Sequence, residues 1–403
     1  MAQAMATEAP SGLLNERSIK APVFTKEEIE AIRVGVNGVH GVLPARCYYD
    51  EEIHRFEAQN ILKKHWLYVG PWDWAEKPGD YFTINMLGEP LIVIRGKDNQ
   101  VRALVNACRH RYSAVVEEGR GNKSVLMCPY HRWSYNTDGS LRAVSVESIK
   151  GFDQKNCALP ALRTEVWNGL IFINFDRDAT PLAQELKGLD EILSEYDLSS
   201  YRSAGHTTYE ANWNWKFSFE TGNEAYHHAG VHSERIGAVM PPGSHRKLAT
   251  GKTWGVYAYT TPEEFRGLDE MRRPFGRPPW MSDERNADYS RDALFAAIFP
   301  NFISFIQPHQ ISTITTQVGT VDRNVASTTI SVAGWAWDRP QAQAHIDGEV
   351  QFMKEVQTED TMACSMLQKG IRSHFNQRGV LHPKFEPMMS QYYNWLLDHY
   401  LGQ

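Results

Sequence analysis

This chain has few of the features that mark extracellular, membrane or nucleic-acid-binding proteins. Its five cysteines in 403 residues are too few and too unevenly placed for a disulfide framework. No run reaches the roughly eighteen apolar residues of a membrane span. No cluster of basic residues accompanies the formal net charge of −6. The first residues also lack the basic flank and apolar core of a secretion signal. We therefore expect a cytoplasmic protein with no nucleic-acid or membrane partner.

The composition is that of an ordinary globular protein, with 42% hydrophobic and 22% charged residues. The length allows roughly two to three domains. Helical patterns begin at Thr25 and Asp50 and fill Pro181–Tyr196, Ala342–Leu367 and Pro387–Tyr400. Short runs of alternating apolar and polar residues, which predict strands, extend from Gly79 to Cys128 and recur later in the chain.

Two mixed cysteine–histidine pairs are the most informative motif. Cys108-Arg-His110 is followed by seventeen residues and then by Cys128-Pro-Tyr-His131. Each pair offers one thiolate and one imidazole, which suits a centre that divides sulfur and nitrogen ligands between two metal atoms. A Rieske [2Fe–2S] cluster is built in this way. A Cys₂His₂ zinc site is the alternative, although its usual spacing pairs cysteine with cysteine and histidine with histidine.

A second candidate metal site follows the segment Asn-Trp-Lys at 214–216. His227 and His232 lie five residues apart, and this spacing suits a helix that unwinds near Gly230. Two histidines and one remote carboxylate form the facial triad of non-haem Fe(II) oxygenases. The late helix offers Glu359 and Asp360 as the carboxylate.

These motifs, in this order, closely resemble the Rieske non-haem iron oxygenases, large (α) subunit, of the ring-hydroxylating type. The resemblance implies that Cys108 and Cys128 ligate one cluster iron and that His110 and His131 ligate the other. Three further residues match the ligands of the mononuclear Fe(II), and they are His227, His232 and Asp360. His228 matches no ligand, and we expect it beside the site or on the surface.

The match departs from the family pattern at three positions. Glu224 stands where most members have an aspartate that bridges to a cluster histidine of the neighbouring subunit. With a glutamate at this position, the chain resembles the branch of the family that oxidises quaternary ammonium compounds. However, Ala225 and His228 replace the cysteines that are usual in that branch. Thr221 and Tyr112 replace a common asparagine and a common glycine. No departure affects a metal ligand, and each weakens the transfer of a substrate.

The resemblance implies an α+β fold and a terminal oxygenase. We expect an N-terminal tail and helix over 1–44 that form part of the catalytic domain, and an all-β Rieske domain over 45–160. The rest of the catalytic domain, over 161–403, should have an antiparallel sheet covered by helices. An NAD(P)H-dependent reductase, directly or through a ferredoxin, would supply electrons for O₂ activation. The implied assembly is a homotrimer or an α₃β₃ complex in which Glu224 connects the centres of neighbouring subunits.

The substrate is less determined than the chemistry. We expect mono- or cis-dihydroxylation of an aromatic or similar small molecule, as in aromatic hydrocarbon catabolism, with oxidation of a methylated amine as the alternative. Candidate pocket residues are Phe217, Thr221, Val239, Phe302 and Phe305. Two other classes stay open: an electron carrier, which would leave the second histidine pair unexplained, and a zinc-binding interaction protein.

Overall fold

The computed structural model of the chain contains two seven-stranded antiparallel sheets. The structure describes residues 19–144, 153–194, 196–260, 292–340, 342–376 and 378–403. Within these ranges no helix has both the length and the apolar character needed to cross a bilayer.

The first sheet carries the cysteine–histidine motif. Its strand order is β1-β10-β9-β4-β3-β2-β5, and a small sheet of β6-β7-β8 lies beside it. The strands are Leu67–Pro71 (β1), Asp80–Met86 (β2), Glu89–Arg95 (β3), Val101–Val105 (β4), Arg120–Asn122 (β5), Leu126–Met127 (β6), Ser134–Tyr135 (β7), Leu141–Ala143 (β8), Ala161–Trp167 (β9) and Leu170–Asn174 (β10). Strands β9 and β10 follow the predicted boundary at residue 160 yet pair with β4 and β1, so the division at 160 stays a prediction.

The second sheet forms the wall of the catalytic region. Its order is β11-β17-β16-β15-β14-β13-β12. The strands are Arg202–Ala211 (β11), His245–Thr250 (β12), Trp254–Thr260 (β13), Asp292–Ile298 (β14), Phe302–Gln307 (β15), Gln310–Thr320 (β16) and Arg323–Val332 (β17). All pairs are antiparallel, as expected for a sheet with helices packed against it. The predicted α+β fold is confirmed.

Helices pack against the second sheet, and the first helix of the described chain contacts the last one. They are Lys26–Arg33 (α1), Glu51–Asn60 (α2), Leu182–Glu185 (α3), Leu189–Leu193 (α4), Trp215–Thr221 (α5), Ile236–Val239 (α6), Gly334–Trp337 (α7), Ala342–Gly370 (α8) and Pro387–Leu401 (α9). The single helix predicted over Pro181–Tyr196 is wrong, because Gly188, with φ of 91°, separates α3 from α4. The long helix α8 crosses the second sheet and contains Asp360.

One buried cluster connects α1, α2 and α9 with both sheets. Within it, Glu57 of α2 and Lys216 of α5 form a fully buried ion pair with a 2.7 Å N–O distance. The indole N–H of Trp215 also donates to Glu57. The Asn-Trp-Lys segment therefore anchors α5, which leads directly to the histidine cluster.

Candidate metal centres and substrate cavity

The two cysteine–histidine pairs lie on two loops with the same backbone design. In the first loop, the N–H of Cys108 donates to the carbonyl of Ser113, and the N–H of Tyr112 donates to the carbonyl of Cys108. Cys128, Arg132 and Trp133 repeat these bonds in the second loop. Tyr112 and Arg132 adopt left-handed φ values of 64° and 61°, which turn each loop tightly. This conformation explains why a glycine is common at the position of Tyr112.

The four predicted cluster ligands divide into a buried thiol pair and an imidazole pair in which His110 is exposed and His131 is half-buried. Cys108 and Cys128 are 2% and 1% exposed. The Nδ1 atoms of His110 and His131 lie 3.1 Å apart at the tip of the loops. Burial raises the pKa of Cys128, but hydrogen bonds from the backbone of Tyr130 and His131 outweigh it and the net pKa is lowered. A sulfur pair beside a nitrogen pair is the donor set that a Rieske cluster needs.

Two aromatic residues support this centre, and sequence reasoning missed the role of one of them. The ring of Trp133 stacks on His110 with centroids 4.9 Å apart. The hydroxyl of Tyr135 lies 3.2 Å from the Sγ of Cys108 and accepts a hydrogen bond from the N–H of Arg109. Tyr135 can therefore donate its proton to a cluster sulfur. The sequence does not single out Tyr135, because a contact between residues of separate loops is not visible in it.

The predicted mononuclear iron ligands come together from separate elements. Helix α5 is capped by Asn214 and ends at Gly222, and a 3₁₀ helix, Tyr226–Ala229, presents His227. His232 lies in the turn that follows, and Asp360 projects from α8. One atom from each of these three residues lies within 4.8 Å of the other two. The predicted helix that unwinds near Gly230 is thus a short 3₁₀ helix with Gly230 as its C-cap.

The geometry of these three side chains fits one metal ion. The Oδ1 of Asp360 lies 2.9 Å from Nε2 of His232 and 3.7 Å from Nε2 of His227. Metal–ligand bonds of about 2.1 Å at right angles place neighbouring ligand atoms roughly 3 Å apart. Although burial lowers it, the carboxylates of Asp360 and Glu359 raise the pKa of His232 overall. The site therefore attracts positive charge, as a metal site must.

Each of the two histidines is held by a carboxylate on its other nitrogen. Glu224 Oε1 lies 2.6 Å from Nδ1 of His227, and Glu224 Oε2 accepts the backbone N–H of the same residue. Glu359 Oε2 lies 2.7 Å from Nδ1 of His232. Such contacts place the proton on Nδ1 and leave Nε2 as the metal ligand. Sequence reasoning named Glu359 only as an alternative to Asp360, and its outer role was not predicted.

A narrow cavity of about 170 Å³ opens beside the triad. An apolar cavity of about 150 Å³ holds benzene, so a small organic molecule fits this one. The predicted pocket residues Thr221 and Phe305 line it. His228, for which the sequence predicts no ligand role, also lines the cavity and is buried. Its Nδ1 is hydrogen-bonded to the carbonyl of Met240. Burial lowers the pKa of His228 to about 3.

Two predicted pocket residues lie elsewhere. Phe302 packs on Tyr68 beneath the sheet, because side chains alternate along β15 and Phe305, three residues later, points to the opposite face. Phe217 stacks on Tyr48 and reaches a surface groove instead of the cavity. The side chain of Val239 lies outside the described part of the structure. The predictions for Phe302 and Phe217 were therefore wrong.

Comparisons with known proteins match this arrangement along most of the chain. The model of the ring hydroxylating alpha subunit (catalytic domain) matches residues 198–402, and that of the Rieske [2Fe-2S] domain matches residues 65–153. A glycine betaine monooxygenase oxygenase subunit of Pseudomonas aeruginosa is 32% identical over 198 residues, 49% of this chain and 46% of the relative. The chain thus spans about half the length of the curated relatives it matches.

Other relatives act on chemically different substrates. Benzene 1,2-dioxygenase subunit alpha of Pseudomonas putida is 32% identical over 49% of this chain and 46% of the relative. A quaternary ammonium Rieske monooxygenase bound to L-carnitine has the same fold, with a TM-score of 0.74, 22% identity, and coverage of 90% of this chain and 96% of that chain. These findings agree with the two centres described above. The chain belongs to the ring hydroxylating alpha subunit family, with a Rieske [2Fe-2S] domain preceding its catalytic domain.

Proposed function

We propose that the chain is a terminal oxygenase component that hydroxylates a small organic substrate with O₂. The observation that carries this proposal is the convergence of His227, His232 and Asp360 beside a largely apolar cavity. The two imidazoles and the carboxylate also line this cavity. Substrate and O₂ would therefore have room beside a metal held by three protein ligands.

The chain's residues fit both groups that the family uses. When bound, a [2Fe–2S] cluster at Cys108, His110, Cys128 and His131 would supply single electrons, and Fe(II) at His227, His232 and Asp360 would activate O₂. Glu224 and Glu359 fix the tautomers of the iron-site histidines. Apolar side chains such as Ile303, Phe305 and Val356 exclude bulk water from the cavity.

Glu224 is the proposed bridge between two subunits. Glu224 and His227 line both the substrate cavity and a groove on the outer surface. Each carboxylate oxygen has a second lone pair after its bond to His227, so Glu224 can accept an imidazole N–H from outside. We propose that the exposed tip carrying His110 and His131 of a second copy supplies this N–H. Such a head-to-tail contact closes into a ring, which favours a homotrimer or an α₃β₃ complex.

The surroundings of the groove support an interface between copies. Exposed apolar side chains lie near it on the same side of α8, and Met366 and Leu367 are 67% and 48% exposed. Contiguous apolar surface of this kind marks interaction sites. The electron source would be an NAD(P)H-dependent reductase, directly or through a ferredoxin, in a reducing cytoplasm. An electron carrier or a zinc protein would leave the triad and its cavity without a role.

The substrate class divides between two candidates. An aromatic or similarly apolar molecule suits the apolar lining, and benzene 1,2-dioxygenase is one of the relatives. Oxidation of a methylated amine is the second candidate, because Glu224 resembles the quaternary ammonium branch and relatives include glycine betaine and carnitine monooxygenase subunits.

The test is O₂ uptake by purified protein with NADH and phenazine methosulfate as electron donors, screened with aromatic acids and betaines. We expect a brown protein with acid-labile sulfide and substrate-dependent O₂ uptake. His227→Ala should keep the cluster absorption and lose the uptake. A colourless wild-type protein that contains zinc and no sulfide would refute the proposal.

A further inference from the structure

The substrate cavity has polar groups at both ends and apolar walls between them. One end is the triad of His227, His232 and Asp360. The other end has the side chains of Gln307, Gln310, Ser312 and Glu349. This second polar group has no part in holding a metal or in the proposed bridge between subunits.

The distance between the two ends of the cavity follows from the positions of two carboxylates on helix α8. Glu349 and Asp360 are eleven residues apart, which is about three helical turns, so both face the cavity and their Cα atoms are about 16 Å apart. Phe352, Met353 and Val356 lie between them on the same face and are apolar. The helix therefore presents one carboxylate at each end of an apolar stripe.

The sheet opposite shows the same order of side chains. Ile303 pairs with Ile314, and its side chain approaches Gly222 at the triad end. Gln307 pairs with Gln310 four residues further along β15, about 13 Å away. Both walls of the cavity thus change from apolar to polar in the same direction, and Gln310 joins them through a 3.0 Å bond from its Nε2 to Glu349.

The charge of Glu349 is not balanced by a described cation. No ion pair to Glu349 occurs among the residues that the structure describes. His345 contacts the Oε1 of Gln310 at 3.1 Å, and its pKa is lowered because burial outweighs the attraction of the Glu349 carboxylate. Gln310 is fixed between His345 and Glu349, and among the described residues that line this end of the cavity Glu349 is the one with a carboxylate that a ligand can contact.

We infer that Glu349 selects a substrate with an apolar body and a cationic group, such as a protonated amine, at the end remote from the reacting carbon. This inference rests on the proposed function and adds the position and sign of a substrate charge. A substrate with a carboxylate at that end would face Glu349 and be repelled. Carnitine, whose methylammonium groups and carboxylate are at opposite ends, would therefore be a poor ligand if its methyl groups faced the triad.

The test is calorimetric binding of three probes of matched shape to the iron-loaded protein near neutral pH: phenylpropylamine, phenylpropanol and phenylpropanoate. Wild type should bind the amine most tightly and the acid most weakly. Glu349→Gln keeps the shape and the acceptor for Gln310 but removes the charge. It should lower the ratio of amine to acid affinity by about tenfold to a hundredfold, the range of a charged hydrogen bond.

Asp347→Asn is the matched control, because Asp347 is exposed on the opposite side of α8 and loses the same charge. It should leave the ratio unchanged, and equal melting temperatures would show that both variants fold. An unchanged ratio in Glu349→Gln, an equal change in the control, or failure of wild type to bind the amine would overturn the inference. Binding needs no turnover, so this outcome is separate from a failure of the O₂-uptake test.

Discussion

Glu359→Gln should weaken iron binding at the triad although Glu359 is not a proposed ligand. Its carboxylate lies 2.7 Å from Nδ1 of His232 and accepts a 2.8 Å bond from Nε of Arg235. Burial raises the pKa of Glu359, but the bonds to His232 and Arg235 outweigh it and the net pKa is lowered. The residue is thus an anion that orients His232 and makes its Nε2 a better donor.

The expected size follows from two routes. Loss of a charged hydrogen bond costs about 1.5–3 kcal/mol. Loss of an outer partner of a metal-bound histidine costs about tenfold to a hundredfold in metal affinity, which is about 1.4–2.7 kcal/mol. Both routes agree, so the dissociation constant for Fe(II) should rise by about tenfold to a hundredfold. The assay is anaerobic competition for iron between the protein and a coloured chelator, with acid-labile sulfide measured to show that the cluster is intact.

Glu355→Gln is the control for this experiment. Glu355 bonds the same Arg235, at 2.7 Å from Nη1, and has no hydrogen bond to His232 among the described contacts. Both variants remove one negative charge from α8, but only Glu359→Gln removes the contact with the histidine. Equal weakening by both variants, or a change of less than about twofold in Glu359→Gln, would refute the positioning role.

Three further predictions concern the buried polar residues. Lys216→Met leaves Glu57 buried without its cation and should destabilise the protein by about 3–5 kcal/mol, which lowers the melting temperature by roughly 4–6 °C. Adding Glu57→Gln should recover most of this loss. Burial raises the pKa of Glu220 to about 7, so wild type loses stability as the pH rises from the unfolded pKa near 4.5 through 7, by up to about 3 kcal/mol. Glu220→Gln should lack this loss in denaturation at pH 5.5 and 8, and parallel pH profiles would contradict the argument. Tyr135→Phe removes the hydroxyl beside Cys108 and should lower the cluster potential by about 60 mV in a redox titration, if that bond favours the reduced state by about 1.4 kcal/mol.

The local motifs were the most predictable part of the molecule. The loops of Cys108 and Cys128 use short-range backbone bonds, so their residues stand together in the sequence. The histidines at 227 and 232 were predictable for the same reason. Asp360 was reached through a family resemblance, because it joins the histidines only when α8 crosses the sheet.

Features that depend on tertiary packing were harder to predict. Strand β11 cannot be predicted from its own residues because many of them are polar, and it is stabilised by pairing with β17 more than a hundred residues later. Phe302 and Phe305 are equally apolar, and only the pairing of β15 decides which of them faces the cavity. Glu359 differs from Asp360 by one step along a helix, and the position of His232 gives each carboxylate its role.

The central claim is that electrons stored at the cysteine–histidine centre are consumed by O₂ at the triad. The most direct measurement reduces the cluster anaerobically, adds O₂ in a stopped-flow instrument with a substrate found in the uptake screen, and follows the return of the oxidised cluster absorption. Wild type should reoxidise rapidly and form product, whereas Asp360→Ala, with the same cluster spectrum, should reoxidise far more slowly and form none. Equal reoxidation rates in the two proteins would contradict the account.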